Sequence, residues 1–86
     1  MKDVLMFVQE TCPYCRQALS WVKELKDENP AYNEIAITKI DENIEADLAN
    51  SYDYYYVPTF YVDGEKLHEG AATKEKIKKV FDNALK

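Results

Sequence analysis

The segment VLMFVQETCPYC, residues 4–15, decides the fold because it joins a strand pattern directly to a helix start. Val4–Val8 is a continuous apolar run with β-branched and aromatic members, which predicts a short strand buried on both faces. Cys12 and Cys15 follow with two residues between them, and Pro13 suits the first turn of a helix. The pattern predicts a dithiol at the junction between a central strand and a helix.

The predicted positions give the two cysteines different chemistry. Cys12 falls at the helix N-terminus, where unpaired N–H groups and the helix dipole stabilise a thiolate, so we expect it to be the nucleophile. Cys15 falls one turn deeper and is placed to attack a mixed disulfide on Cys12, which makes it the resolving thiol. Pro13 holds the turn without losing a helical hydrogen bond, and Tyr14 is placed to shield or contact the substrate.

A zinc half-site and a pair of inert core thiols are the alternative interpretations of this motif. Zinc normally takes four ligands, and beyond the cysteines the sequence offers one histidine, His68, and acidic residues. Inert thiols have no need for this spacing at a strand-to-helix junction. We therefore predict redox chemistry and no metal site.

Outward from the motif, the next residues continue a βαβ pattern. Apolar residues recur at helical spacing from residue 13 to about residue 28, and alternation over residues 35–40 predicts a second strand. A short helix is predicted to run to about Ser51, with Ile44, Leu48 and Tyr52 along one side. A strand, a helix and a second strand in this order predict a parallel pair of strands joined by a crossover helix.

A hairpin and a helix complete the predicted fold. Asp63-Gly64 is a favoured two-residue turn, and it separates strands predicted at residues 59–62 and 66–68. Thr73 is placed to cap a last amphipathic helix. The order is βαβαββα, an α/β fold in which helices flank a mixed four-stranded sheet.

Composition limits the size and partners of the protein. The 86 residues suffice for one domain, residues 1–86, and two cysteines are too few to serve as a disulfide scaffold. The net charge of -5 disfavours phosphate backbones and anionic lipids, so nucleic acid and membrane are excluded as first hypotheses. We expect a monomer in the reducing cytoplasm.

With these residues in place, the chain resembles the thioredoxin-fold superfamily, and Cys12-Pro13-Tyr14-Cys15 resembles the active site of dithiol glutaredoxins. The segment Val57-Pro58-Thr59-Phe60 is similar to the family loop that faces the dithiol across the substrate groove. The resemblance implies that Pro58 is cis and that Val57, Pro58 and Thr59 bind substrate, Val57 through its backbone. It also implies that Cys12 and Cys15 form the redox-active disulfide.

The sequence departs from glutaredoxins where these proteins hold glutathione. Gln9 stands where a basic residue is usual, and Gly70-Ala71-Ala72-Thr73 replaces a Gly-Gly pair followed by an acidic residue. The residues after Pro58 are more similar to the C-terminal half of a thioredoxin. Glutathione and a thioredoxin reductase therefore both remain open as the electron donor.

The predicted function is that of a small glutaredoxin-like thiol-disulfide oxidoreductase that reduces protein or mixed disulfides. Its cellular roles would be electron transport and cell redox homeostasis, with no bound cofactor besides the redox disulfide. Two alternatives are a thioredoxin-like redoxin coupled to thioredoxin reductase and a non-catalytic binding module. The binding module would use the tyrosine cluster Tyr52, Tyr54, Tyr55 and Tyr56 as its contact surface.

Overall fold

A computed structural model describes residues 2–86 and contains the predicted mixed sheet. Its four strands are β1 (Val4–Val8), β2 (Ile37–Asp41), β3 (Thr59–Val62) and β4 (Glu65–Glu69), in the spatial order β2-β1-β3-β4. β1 pairs parallel with β2 and antiparallel with β3, and β3 pairs antiparallel with β4. The βαβαββα order and the central position of β1 are confirmed.

The alternation of side chains along β1 divides the core between the two faces of the sheet. Val4, Met6 and Val8 belong to the larger apolar cluster, which also receives the two long helices. Phe7 points into a smaller cluster with Ile40 and Tyr61 on the other face. β1 is continuously apolar because both of its faces are covered.

Two long helices cover the larger cluster. α1 (Pro13–Glu28) buries Cys15, Ala18 and Leu25, and it begins at the proline that the sequence placed in a first turn. The third helix, α3 (Lys74–Ala84), begins after Thr73, whose hydroxyl accepts a hydrogen bond from the N–H of Lys76 at 3.1 Å. The span of α1 and the cap of α3 agree with the predictions from the sequence.

The second predicted strand, residues 35–40, is wrong at its start. A 3₁₀ helix occupies Pro30–Glu34, and the N–H of Ile35 donates to the carbonyl of Tyr32 at 3.2 Å. Tyr32 is buried against Phe81, so this turn anchors the chain to α3 before β2 begins at Ile37. Alternation at Ile35 and Ile37 suggested strand pairing, but Ile35 is buried as the end of the turn.

The predicted buried side of the short helix is also wrong. α2 spans Ala46–Asn50, and Ala49 is its buried residue. Leu48 is exposed, and Ile44 precedes the helix with 77% of its surface accessible to solvent. Tyr52 does reach the core, with its ring 4.9 Å from that of Phe7.

The hairpin forms at the predicted turn. Asp63 and Gly64 both have positive φ, 48° and 83°, which a two-residue turn of this kind requires. β4 is longer than predicted by one residue at each end. Among residues 2–86, none of the helices combines the length and apolar character needed to cross a lipid bilayer.

Candidate active site

Cys12 lies at the junction of β1 and α1, as the sequence predicts. It is the N-cap residue of α1, with φ -83° and ψ 116°, and its side chain is half-buried. Its N–H donates to the carbonyl of Gln9 at 3.0 Å, and its own carbonyl accepts from the N–H groups of Cys15 and Arg16 at 3.1 and 3.2 Å. These bonds fix the Cys12 backbone, so the thiol sits at the positive end of the helix dipole.

Cys15 occupies the first turn of α1 and faces the core, where only 1% of its surface is exposed. Burial is the largest cause that raises the pKa of the Cys15 thiol from 9.0 to about 12, against the opposing effect of a backbone contact with Gln9. A hydrogen bond with Cys12 and the charge of Cys12 raise the Cys15 pKa further. Cys15 is therefore protonated at neutral pH, and its thiol must lose a proton before it can act as a nucleophile.

The loop before β3 lies at the same end of the sheet as the dithiol. In the antiparallel pairing of β1 with β3, Phe7 is opposite Thr59, so the start of β3 lies beside the end of β1. The Val57-Pro58 peptide bond is cis, as the resemblance implied. The carbonyl of Pro58 accepts a hydrogen bond from the N–H of Gly70 at 2.9 Å, which ties this loop to the end of β4.

The three predicted substrate-binding residues differ in how accessible they are. Val57 is half-buried, and its side chain packs against both apolar clusters. Pro58 and Thr59 are buried, and the Thr59 hydroxyl donates to the carbonyl of Tyr56. Contact between these residues and a substrate stays a prediction.

Two cavities adjoin the motif. One, of about 320 Å³, is lined by side chains of α1 and of the loop before α3: Pro13, Tyr14, Gln17, Trp21, Ala71 and Ala72. The other, of about 370 Å³, is lined by Cys15, Arg16 and Ile44 together with neighbouring residues of β1 and β2. Tyr14 is exposed at the edge of the first cavity, where it is free to contact a molecule that approaches Cys12.

Glu42 is a nearby charged residue that the sequence reasoning missed. It follows β2, and its N–H donates to the carbonyl of Val8 at 2.9 Å, which places it at the dithiol end of the sheet. Its negative charge contributes to the raised pKa of Cys15, although less than burial does. The Tyr54 hydroxyl donates to the Glu42 carboxylate at 2.9 Å. Burial, and to a smaller extent this hydrogen bond, raises the pKa of Tyr54. The parallel pairing of β1 with β2 was the available signal, because it brings both strand ends to one edge.

Glu69 is a second missed residue, and it organises the tyrosine loop. Its carboxylate accepts hydrogen bonds from the N–H groups of Tyr55 and Tyr56 at 2.5 and 3.0 Å, and it pairs with Lys66 at 2.8 Å. The bond from Lys66, followed by those from the two N–H groups, lowers the pKa of Glu69 to about 2. No sequence periodicity links residues 55 and 69, so only the pairing of β3 with β4 reveals the contact.

Candidate metal ligands do not gather around the dithiol. Within residues 2–86, no group of three or more His, Cys, Asp or Glu side chains is arranged to hold an ion. His68 lies on β4 with its ring beside that of Phe60, and its Nε2 is 2.8 Å from the carbonyl oxygen of Gly70.

Comparison with known proteins identifies a family and relatives that cover most of the chain. The family model described as "Thioredoxin domain" matches residues 2–82. Thioredoxin of Methanocaldococcus jannaschii is 30% identical over 80 residues, which cover 93% of this chain and 92% of that protein. The protein disulfide isomerase-like 1-4 of Oryza sativa subsp. japonica is 37% identical over 76 residues, but the match spans only 13% of its length and 83% of this chain.

The solved structures resemble this chain in the same way. A crystal structure of a thioredoxin-like protein superposes with a TM-score of 0.67 at 26% identity. The superposition covers 91% of this chain and 99% of that chain. The agreement extends over both chains, so the sheet order and the helix placement are those of the same fold.

Proposed function

The chain belongs to the thioredoxin domain family of thiol-disulfide oxidoreductases, and we propose that it reduces protein disulfides through Cys12 and Cys15. The observation that carries this proposal is the unequal burial of the two thiols. Cys12 is half-buried at a helix N-terminus, whereas Cys15 is buried in the first turn of the same helix. This arrangement suits a nucleophile that meets the substrate and a second thiol that reacts only afterwards.

The proposed reaction consists of two exchange steps. The Cys12 thiolate attacks one sulfur of the substrate disulfide, and a Cys12–substrate disulfide forms while the other substrate sulfur leaves as a thiolate and takes up a proton. Cys15 then loses its proton and attacks the Cys12 sulfur, which releases the second substrate thiol. The substrate gains two electrons and two protons, and the chain is left with a Cys12–Cys15 disulfide.

We propose that a thioredoxin reductase, rather than glutathione, returns the electrons. Gln9 and Ala71-Ala72 stand where glutaredoxins hold glutathione, and the acidic chain does not attract that anionic tripeptide. The thioredoxin names of the archaeal relatives support the same choice. The CPYC motif favours glutathione as the second candidate. A monomer in the cytoplasm stays the expected state.

The test is reduction of a disulfide-bonded protein such as insulin. Wild type should turn over with NADPH and thioredoxin reductase, and Cys12→Ser should abolish turnover. Ser20→Ala on the exposed surface of α1 is the matched control and should leave turnover unchanged. Full activity in Cys12→Ser would contradict the nucleophile assignment, and faster turnover with glutathione and its reductase would contradict the proposed donor.

A further inference from the structure

The large apolar side chains that remain exposed lie at one end of the molecule. Among residues 2–86 they are Tyr14, Ile44, Leu48, Tyr55 and Tyr56. They belong to three segments that meet at the dithiol end of the sheet: the start of α1, the segment that follows β2, and the loop that precedes β3. Exposed apolar side chains grouped in this way are typical of an interaction surface.

Three of these side chains, Tyr14, Ile44 and Tyr56, lie around the dithiol. Ile44 lines the same cavity as Cys15 and Arg16. On the other side, Tyr14 lines the cavity formed with Ala71 and Ala72. A Cβ built on the adjoining Gly70 would lie 3.6 Å from the Cβ of Tyr56, so the tyrosine loop continues this rim. A polypeptide that reaches Cys12 across either cavity therefore approaches Tyr14, Ile44 or Tyr56.

The tyrosine loop presents its rings from a fixed backbone. The Glu69 carboxylate accepts hydrogen bonds from the backbone N–H groups of Tyr55 and Tyr56, while the side chains of these two residues are 86% and 70% exposed. Lys66 neutralises Glu69, so this carboxylate is already satisfied within the protein. Exposed rings on an ordered backbone can bind with a smaller loss of conformational entropy than rings on a mobile loop.

Acidic residues outnumber basic ones around α2 and the tyrosine loop, although Arg16 and Lys39 line the cavity beside Ile44 and the Lys66 Nζ is 3.2 Å from the carbonyl oxygen of Asp53. Lys39 and Lys66 are consecutive basic residues in the sequence, and between them lie only acidic charges: Asp41, Glu42, Glu45, Asp47, Asp53, Asp63 and Glu65. Of these, Glu45, Asp47 and Asp53 are exposed on or beside α2. Basic residues are concentrated instead on α3, which packs against α1. On the side of α2, the apolar rim therefore adjoins a surface on which exposed carboxylates predominate.

We propose that this surface, formed by Ile44, Leu48, Tyr55 and Tyr56 with Glu45 and Asp53, selects substrates whose disulfide is flanked by Lys or Arg. Lys and Arg side chains match both the acidic and the apolar residues of this surface. Their cationic groups pair with the carboxylates, while their aliphatic chains and the planar guanidinium of Arg pack on the apolar side chains and the tyrosine rings. The inference rests on the proposed function, and it names the substrate class that the dithiol reduces.

The test compares three peptide disulfides that differ only in the residues two positions from each cysteine, which are Lys, Gln or Glu. At low salt, wild type should reduce the Lys peptide on the order of tenfold faster than the Glu peptide in kcat/KM. The ratio should fall towards one at about 0.5 M salt, where charges are screened. A ratio of one at low salt would overturn the inference.

Two pairs of variants separate this surface from net charge. Glu45→Gln with Asp53→Asn should lower the Lys-to-Glu ratio about threefold. The matched control is Asp27→Asn with Glu34→Gln, which removes the same charge from exposed positions at the other end of α1 and in the 3₁₀ helix, and it should leave the ratio unchanged. Tyr55→Leu should lower the ratio about twofold, through loss of the ring face. An equal effect of both charge pairs would overturn the assignment to this surface.

The Gln peptide separates a failure of the proposed function from a failure of the selection for basic substrates. If wild type reduces it and Cys12→Ser does not, the proposed function stands whatever the Lys-to-Glu ratio is. A ratio of one would then refute only the selection for basic substrates. If wild type reduces none of the three peptides, the proposed function fails, and the substrate class that rests on it fails as well.

Discussion

The clearest consequence of the burial of Cys15 is slow alkylation in the folded protein. Cys12→Ser leaves Cys15 as the single thiol, and Cys15→Ser leaves Cys12. We expect iodoacetamide at pH 7 to label Cys12 readily and Cys15 much more slowly than a free thiol. Burial, which is the largest cause of the raised Cys15 pKa, persists in Cys12→Ser, whereas the smaller contribution from the charge of Cys12 is lost, so the wild-type pKa sets an upper limit on the effect of thiolate fraction in this variant.

The magnitude follows from the Cys15 pKa, which is raised from 9.0 to about 12. Each pH unit changes the thiolate fraction tenfold, so the fraction at pH 7 falls on the order of 10³-fold. A more basic thiolate is intrinsically more nucleophilic. With a Brønsted coefficient of about 0.4–0.5, the rate constant of the thiolate itself rises by a factor of roughly 15–30, which partly offsets the smaller thiolate fraction. For the wild-type pKa, the combined effect is alkylation roughly 30–60-fold slower than that of a free thiol, which is the upper limit expected from thiolate fraction in Cys12→Ser. The low exposure of Cys15 slows the reaction further.

The assay is mass spectrometry of the two single-cysteine variants over time, with N-acetylcysteine as the free-thiol reference. Both variants should react like the reference after unfolding in guanidinium chloride, which controls for the chemistry of labelling. If Cys15 in the folded protein reacted as fast as N-acetylcysteine, the argument from burial would be refuted.

Three further predictions concern stability, each measured by urea unfolding. Because the folded-state pKa of Glu69 is lowered from 4.5 to about 2, its stabilising contribution is present above pH 4.5 and is lost as the pH falls through 2. The stability difference between wild type and Glu69→Gln should therefore narrow between about pH 6 and about pH 2.5, and a constant difference would contradict the role of this carboxylate. Tyr32→Phe removes a 2.5 Å hydrogen bond to Asp82 and should cost about 1–2 kcal/mol, whereas the exposed Tyr55→Phe should cost less than about 0.5 kcal/mol. Ile44→Ser should change the free energy of unfolding by less than about 0.5 kcal/mol, whereas Phe81→Ala in the core should lower it by about 3–5 kcal/mol. A large loss of stability in Ile44→Ser would instead support the sequence-based prediction that Ile44 is buried.

The sequence predicted the elements in which local and tertiary signals agree. β1 is apolar throughout because both faces are covered, and the spacing in α1 and α3 follows one buried stripe on each. Asp63-Gly64 marks its turn because both residues adopt positive φ. In these elements the pattern of apolar residues or the turn chemistry alone indicates the structure.

The errors lie where tertiary contacts override the pattern. Ile35 is apolar because it ends the 3₁₀ turn, and alternation could not distinguish this from a strand. In α2 the small side chain of Ala49 faces the core, while Tyr52 and Tyr54 from the following loop pack on Phe7. A five-residue helix has too little periodicity to show which side is buried.

The residues of the candidate site also divide into those that the sequence predicts and those that only the tertiary structure reveals. The cysteines follow from spacing and from the strand-to-helix junction, and the cis bond before Pro58 follows from the family resemblance. Glu42 and Glu69 act through contacts between segments that are distant in sequence, and neither belongs to a motif. Their roles therefore required the register of the sheet.

The central claim is that Cys12 attacks the substrate and Cys15 resolves the intermediate. The most direct measurement is intact mass spectrometry after each protein is mixed with a peptide disulfide and quenched with acid. Cys15→Ser should accumulate one peptide on Cys12, wild type should show only a brief adduct before its own disulfide forms, and Cys12→Ser should carry none. A stable peptide adduct on Cys15 in Cys12→Ser, or no adduct in Cys15→Ser, would contradict the account.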